Sequence, residues 1–280
     1  MEALVSPYWV ANNLSAGNIV ILDATLKKTA NKTGDMTGLV IPGAVWFDLE
    51  TTFSEPESDL PHTFPSVLSI PSLLAGIGIT PDSTVVVYDQ QGIYSAPRVW
   101  WMLKVMGIDN CHILDGGLPA WRAAGFEVSE NYAVPDVKSV CKFNIKPEQI
   151  VDRFAVLDNI SAPRFTLVDA RPAARFSGQQ AEPRAGLRRG HVPHSVNIPF
   201  SEVLDDGRYK TRDVLADMFA RHELSHKDEL VFSCGSGVTA CIVLFAAHLA
   251  GFESLRVYDG SWAEWGQDES LPLKSESAEL

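Results

Sequence analysis

The chain holds 280 residues, 46% of them hydrophobic, so it can bury a large core, and its length suits about two domains. A formal net charge of −12 repels phosphate backbones and anionic lipid, which argues against nucleic acid and membrane surfaces as partners. The N-terminal stretch MEALVSPYWV lacks a basic region followed by an apolar core, and the longest apolar run, CIVLFAAHLA at 241–250, is too short to span a bilayer. A cytoplasmic protein is expected. The four cysteines, Cys111, Cys141, Cys234 and Cys241, form no C-x-x-C pair and no metal-type Cys/His spacing, so free thiols in a reducing compartment, with no metal or other cofactor, are expected.

Taken in order, the chain contains an internal repeat. IVILDAT at 19–25 matches TLVDAR at 166–171, each an apolar strand ending in Asp, and IPGAVWFD at 41–48 matches VPHSVNIPF at 192–200. TVVVYD at 84–89 then pairs with ELVFSC at 229–234, SAPRVWWMLKVMG at 95–107 with TACIVLFAAHLAG at 239–251, and ILDGGLPAW at 113–121 with VYDGSWAEW at 257–265. The offset, 145 residues between Asp89 and Cys234, is far longer than a solenoid repeat and indicates a duplicated globular domain. Within each half, short apolar strands alternate with helical patterns, and continuous runs such as TVVVY suggest strands buried on both faces. An α/β fold follows, with a mostly parallel sheet flanked by helices in each half. Pro97 suits the first turn of its helix, and Gly107 and Gly251 suit the residue just past a helix end. The stretch SENYAVPDVKSVCKFN at 129–144 has no clear periodicity and reads as the connection. The expected division is a domain over 1–130, a linker over 131–145 and a second domain over 146–280.

VFSCGSGVTA at 231–240 combines a strand, a tight loop and the start of a helix. Gly235 and Gly237 lack a Cβ, which lets the backbone curl and aim successive N–H groups inward, and the helix adds the positive end of its dipole. With Val238 and Thr239, these residues form a cradle for an anion: the Cys234 thiolate, or the terminal sulfur of a persulfide. An isolated cysteine is more often plain core, but the Gly-x-Gly setting at a strand-to-helix junction argues for reactivity. The first half has Asp89 at the corresponding position, and its loop QQGIYSA is one residue longer and lacks the Gly-x-Gly spacing. Only the second half keeps a nucleophile. Cys241 lies in a wholly apolar run and reads as core, whereas Cys111 and Cys141 stay unassigned.

CGSGVTA at 234–240, YDGSWAEW at 258–265, SAPRVWWML at 95–103, RGHVPHSVNIP at 189–199 and the tandem halves together resemble the rhodanese superfamily, and within it the 3-mercaptopyruvate sulfurtransferases. The resemblance covers nearly the whole chain. It implies sulfane-sulfur transfer through a cysteine persulfide, with a non-catalytic N-terminal domain and a catalytic C-terminal one. Thiosulfate-preferring relatives place basic residues straight after the cysteine, whereas this chain has Gly235 and Ser236 there. The charge of the donor must then be met elsewhere, and the Pro- and Gly-rich stretch ARPAARFSGQQAEPRAGLRRGH at 170–191, read as a loop, supplies Arg171, Arg175, Arg184, Arg188 and Arg189. By resemblance, Arg175 and Arg184 hold the carboxylate and ketone of mercaptopyruvate, while Arg188 and Arg189 read as surface residues. A proton source is also needed for the leaving enolate. Ser236 can reach the pocket, and by resemblance His62 and an acid, Glu50 or else Asp48, complete a relay with it. The sulfur then passes to a thiol such as reduced thioredoxin, or to cyanide.

Other chemistries fit less well. A cysteine phosphatase needs Arg six residues after its nucleophile, where this chain has Ala240, and a papain-like protease has a different local context around its cysteine. Thiosulfate sulfurtransferase is the nearer rival. A non-enzymatic persulfide carrier is a third reading, and it would have no use for a carboxylate clamp.

Overall fold

The computed structural model describes residues 2–14, 16–26 and 38–276. The chain falls into two compact units. One gathers residues up to Glu57, Phe64–Pro147 and Asp206–Tyr209, and the other Ser58–Thr63, Glu148–Asp205 and Lys210–Leu280. Among the described residues no helix is long and apolar enough to cross a membrane.

In the first unit the strands are β1 (Leu4–Val5), β2 (Ile19–Asp23), β3 (Val45–Trp46), β4 (Thr84–Tyr88) and β5 (Cys111–Leu114), and the described helices are α1 (Pro7–Asn13), α2 (Ile70–Gly76), α3 (Ala96–Val105) and α4 (Gly117–Ala123). The sheet order is β1-β5-β4-β2-β3, and every pairing is parallel. Val85, Val86 and Val87 of the central strand are all fully buried, as a strand covered on both faces must be. α3 buries every residue except Lys104, so the helix has no solvent stripe and belongs to the core. Pro97 lies in its first turn, and Gly107 beyond its end is left-handed at φ 92°. The stretch that follows α4 is tied back to this unit by backbone bonds: Ala133 N–H to Ala44 O (2.8 Å), Lys138 N–H to Ala75 O (3.0 Å) and Lys146 N–H to Val105 O (2.8 Å).

The second unit repeats the plan with β6 (Ile150–Val151), α5 (Arg153–Ser161), β7 (Thr166–Asp169), the single turn α6 (Ala173–Phe176), β8 (Val196–Asn197), α7 (Arg212–Arg221), β11 (Leu230–Ser233), α8 (Ala240–Ala250), β12 (Leu255–Tyr258) and α9 (Ser261–Trp265). Two further short strands precede α7 in the chain: β9 (Leu204–Asp205), and β10 (Arg208–Tyr209), which gathers with the first unit. The order β6-β12-β11-β7-β8 is again wholly parallel and reproduces that of the first sheet. α8 is buried along almost its whole length and ends at Gly251, φ 101°. From β7 the chain winds outward to β8, and from β11 it winds the other way to β12. The carboxyl ends of β7 and β11 therefore flank a topological switch point, the place where open α/β sheets hold ligands. Cys234 follows β11 at that edge, and Arg171 follows β7.

Candidate active site

The loop between β11 and α8 holds Cys234 at its start, with the residue only 2% exposed. Its carbonyls are drawn to one side: Cys234 O accepts from Trp262 N–H at 2.9 Å and Gly235 O from Ala263 N–H at 3.0 Å, both at the start of α9. Because the N–H across a trans peptide points opposite to the carbonyl, fixing these oxygens turns the amides of Gly235 and Ser236 to the other side. Ser236 N–H accordingly donates to Cys234 Sγ at 3.4 Å. Gly237 takes the left-handed conformation, φ 77°, that a side chain resists, and Cys241 of α8 donates its thiol to Gly237 O at 3.3 Å. Gly235 does not use its freedom: its φ is ordinary, and a Cβ there would meet only Arg184 Nη1, at 4.0 Å. Val238 is buried, and Thr239 is the N-cap position of α8, whose dipole faces the loop.

The first unit provides an internal control. There the equivalent loop closes on the carboxylate of Asp89, which accepts from Gln91 N–H on one oxygen (2.9 Å) and from Tyr94, Ser95 and Ala96 N–H on the other (2.8, 3.0 and 3.0 Å). Asp89 O is held by Leu118 N–H at 3.0 Å, as Cys234 O is held by Trp262. Burial raises the Asp89 pKa while these amide bonds pull it down, and the second unit's loop, with the same carbonyl anchor, directs one amide, Ser236 N–H, at the sulfur instead.

Ser261 was not singled out by the sequence. Its hydroxyl accepts Cys234 N–H at 3.2 Å and donates to Tyr258 O at 2.9 Å. It does so from a left-handed backbone, φ 51°, where its repeat partner Gly117 has φ 53°. The first unit meets that conformation with glycine, and the second accepts about 1–2 kcal/mol of strain in return for a hydroxyl. Ser261→Gly removes that strain but loses two hydrogen bonds, each worth about 0.5–1.5 kcal/mol, and adds about 0.5–1 kcal/mol of backbone entropy. Its thermal midpoint should therefore stay within a few degrees of wild type, while loosening of Cys234 slows turnover roughly two- to tenfold. A lowered midpoint with unchanged turnover would make Ser261 purely structural.

Arg184 is exposed and donates to Gly235 O at 3.3 Å, so it stands beside the cysteine loop. A cavity of about 240 Å³ opens on it, with Asp59, Leu60, Pro61, Gly186 and Gln267 on its walls. Arg175 lies on the helical turn α6 rather than in an irregular loop, because Pro172 at the N-cap starts the turn and Gly178, φ 85°, ends it. Its side chain, 22% exposed, meets Glu182 at 3.7 Å. Glu182 is in turn paired with Arg171, which grips Asp169 through Nε and Nη2, donates to Gly190 O and lies over the Trp262 ring at 4.2 Å. Burial acts against the Arg171 charge, but Asp169 and Glu182 outweigh it and raise its pKa. Arg188 donates to the carbonyls of Trp265, Gly266 and Leu271 and is structural; Arg189 is exposed.

His62 lies in the Ser58–Thr63 segment that gathers with the second unit, on a left-handed backbone, φ 61°. Glu50 and Asp48 belong to the first unit. Asp48 is occupied locally, accepting from Glu50 and Thr51 N–H and from the Thr51 and Thr52 hydroxyls; burial opposes its ionisation, and these bonds together hold its pKa below the usual value.

Two parallel five-stranded sheets of identical order, with a cysteine on an amide-lined loop in one and a carboxylate in the other, define a tandem rhodanese-type protein. The chain belongs to the rhodanese-like domain family, whose model matches residues 6–124 and 155–268. It is 36% identical to 3-mercaptopyruvate sulfurtransferase of Escherichia coli K12 over 95% of both chains, and 35% identical to thiosulfate sulfurtransferase of Bos taurus over 94% of this chain and 92% of that one. Among solved structures it is similar to SseA from Escherichia coli, described as a 3-mercaptopyruvate sulfotransferase, with TM-score 0.82 and 33% identity over 94% of this chain and 99% of that one.

Proposed function

We propose that this protein is a sulfurtransferase that moves sulfane sulfur from 3-mercaptopyruvate through a Cys234 persulfide to a thiol or cyanide, releasing pyruvate. The observation that carries the reading is the pair of matching loops. Where the first unit's loop closes four amides on Asp89, the second unit's loop turns the Ser236 amide onto the Cys234 sulfur, and a persulfide there extends into the loop that the carboxylate fills in the first unit.

The Cys234 thiolate attacks the thiol sulfur of the donor. An S–S bond forms, the C–S bond breaks, and its electron pair becomes the pyruvate enolate. In the proposed relay, Ser236 with His62 and an acid, Glu50 or else Asp48, takes up the thiol proton and returns it to the enolate carbon, leaving pyruvate and Cys–S–S⁻. Gly235, Gly237, Val238 and Thr239 line the persulfide. An acceptor thiolate such as that of reduced thioredoxin then attacks the outer sulfur, and Cys234 leaves as thiolate. Residues 146–280 carry the nucleophile and the donor-binding arginines, and residues 1–130 contribute His62 and its acid to the relay. The free state of all four cysteines among the described residues supports a reducing compartment, the cytoplasm.

Arg175 and Arg184 bind the donor carboxylate and ketone. A hydrogen bond to a charged group contributes about 1.5–3 kcal/mol, so Arg175→Ala or Arg184→Ala should lower kcat/KM for mercaptopyruvate by about ten- to a hundredfold. The exposed Arg184 belongs at the lower end, because solvent screens it. Thiosulfate use should fall less. Steady-state kinetics with both donors, and cyanide or a dithiol as acceptor, make the test; equal losses for both donors, or none for either, would remove these arginines from the site. Thiosulfate sulfurtransferase is the second reading, favoured by an identity to the bovine enzyme nearly equal to that with the bacterial one. A bare persulfide carrier gains nothing from a guanidinium held beside its cysteine.

A further inference from the structure

The arginines of the second unit are not all available to a donor. Arg171 is 1% exposed and its side chain is saturated by Asp169, Glu182 and Gly190 O. Glu182, whose side chain is 2% exposed, gives one oxygen to Arg171 at 2.8 Å and turns the other to Arg175 at 3.7 Å. Asp169, Arg171, Glu182 and Arg175 thus form a chain of ion pairs with no net charge, and Arg184, beside Gly235 O, supplies the one positive charge left over. Asp59, on the wall of the cavity beside Arg184, is exposed, and water screens it. Buried charges are screened less than exposed ones, so the Glu182 carboxylate weighs on an anion that Arg175 meets more than Asp59 does.

We propose that Glu182 is a specificity-determining residue that sets the charge of the donor: by neutralising half of the Arg175–Arg184 pair, it leaves a site of single positive charge, matched to a monoanionic carboxylate donor and under-charged for a dianion such as thiosulfate. The inference rests on the reading that Arg175 and Arg184 bind the donor. Glu182 itself touches no reacting atom; it acts through Arg175.

The test is Glu182→Gln, which keeps the shape and an acceptor for Arg171 but removes the charge. Arg171 retains its two-point grip on Asp169, so the strut between the clamp and Trp262 survives. The ratio of kcat/KM for thiosulfate to that for mercaptopyruvate should rise about tenfold, mainly through a lower KM for thiosulfate, and added salt should shrink the gain. Glu182→Asp, which restores the charge, should keep the wild-type ratio. A merely structural Glu182 gives a different result, since a loosened clamp weakens both donors and improves neither. An unchanged ratio, or equal losses for both donors, overturns the proposal. Should Glu182→Gln not accumulate as folded protein, Glu182→Met removes the same charge under an apolar stem and reads the same ratio. Arg175→Ala is assayed in parallel. If it leaves both donors untouched, the underlying reading of the site fails; if it weakens mercaptopyruvate while Glu182→Gln leaves the ratio unmoved, the charge-setting role alone fails.

Discussion

Cys234→Ser should abolish sulfur transfer with every donor and acceptor while leaving the fold and thermal midpoint close to wild type. The position of this residue is fixed by its backbone, whose N–H is held by Ser261 Oγ and whose carbonyl is held by Trp262 N–H, and neither bond involves the sulfur. Replacing sulfur by oxygen removes only the nucleophile and the 3.4 Å contact from Ser236 N–H. Mass spectrometry of the wild-type protein after exposure to donor alone should place one added sulfur on the peptide that holds Cys234. The other thiols serve as controls. Cys111 is buried in β5, and burial pushes its pKa up to about 12, so almost none of it is thiolate at neutral pH. Cys241 is fully buried with its thiol on Gly237 O, and Cys141 is partly exposed in the stretch after α4. Sulfur appearing on any of these three, or transfer surviving in Cys234→Ser, would sink the assignment.

The two sheets were legible in the sequence because their strands are buried on both faces: a run such as TVVVY has no other simple reading, and its repetition as ELVFS 145 residues later fixes the duplication. The cysteine loop was legible because Gly237 sits where a left-handed turn demands it. What stayed hidden is what the fold assembles from distant segments. Ser261 is 27 residues from Cys234, and nothing local marks its hydroxyl as the acceptor for the cysteine N–H. A signal existed nonetheless: aligning DGS at 259–261 with DGG at 115–117 puts a serine opposite a glycine, and both turn out to be left-handed. Arg171 read as one arginine in a basic loop, yet it is the buried one, because β7 delivers it beside Asp169 and beneath Trp262. Charge count alone could not have separated Arg171 and Arg188, both engaged by the protein, from Arg175 and Arg184, which keep exposed surface.

The loop beside the nucleophile offers the sharper test of donor choice. Thiosulfate is a compact dianion whose sulfite leaving group develops charge close to the attacked sulfur, whereas mercaptopyruvate carries one carboxylate set back from its thiol and needs a proton for its leaving enolate. Gly235→Arg combined with Ser236→Lys should therefore act in opposite directions on the two donors. Added cations should raise kcat/KM for thiosulfate by about tenfold, and loss of the Ser236 hydroxyl from the relay should lower that for mercaptopyruvate by about a hundredfold. The backbone permits the change, since Gly235 is not left-handed and a Cβ there comes no closer than 4.0 Å to Arg184 Nη1. That same approach sets two guanidiniums against each other, and Arg184, being exposed, can swing outward, which by itself weakens the mercaptopyruvate clamp and adds to the shift. The variant must first be shown to hold one sulfur on Cys234, so that the kinetics report on a working nucleophile. If a folded, sulfur-accepting variant shows no movement of the donor ratio toward thiosulfate, charge beside the cysteine does not choose the donor. Glu182→Gln changes charge from behind Arg175 and leaves the loop intact, so agreement between the two variants would place donor selection in the net charge of the site; with a shift in the loop variant alone, a rise in thiosulfate use would place selection in the charge beside the cysteine, and a fall in mercaptopyruvate use without that rise would place it in the proton relay.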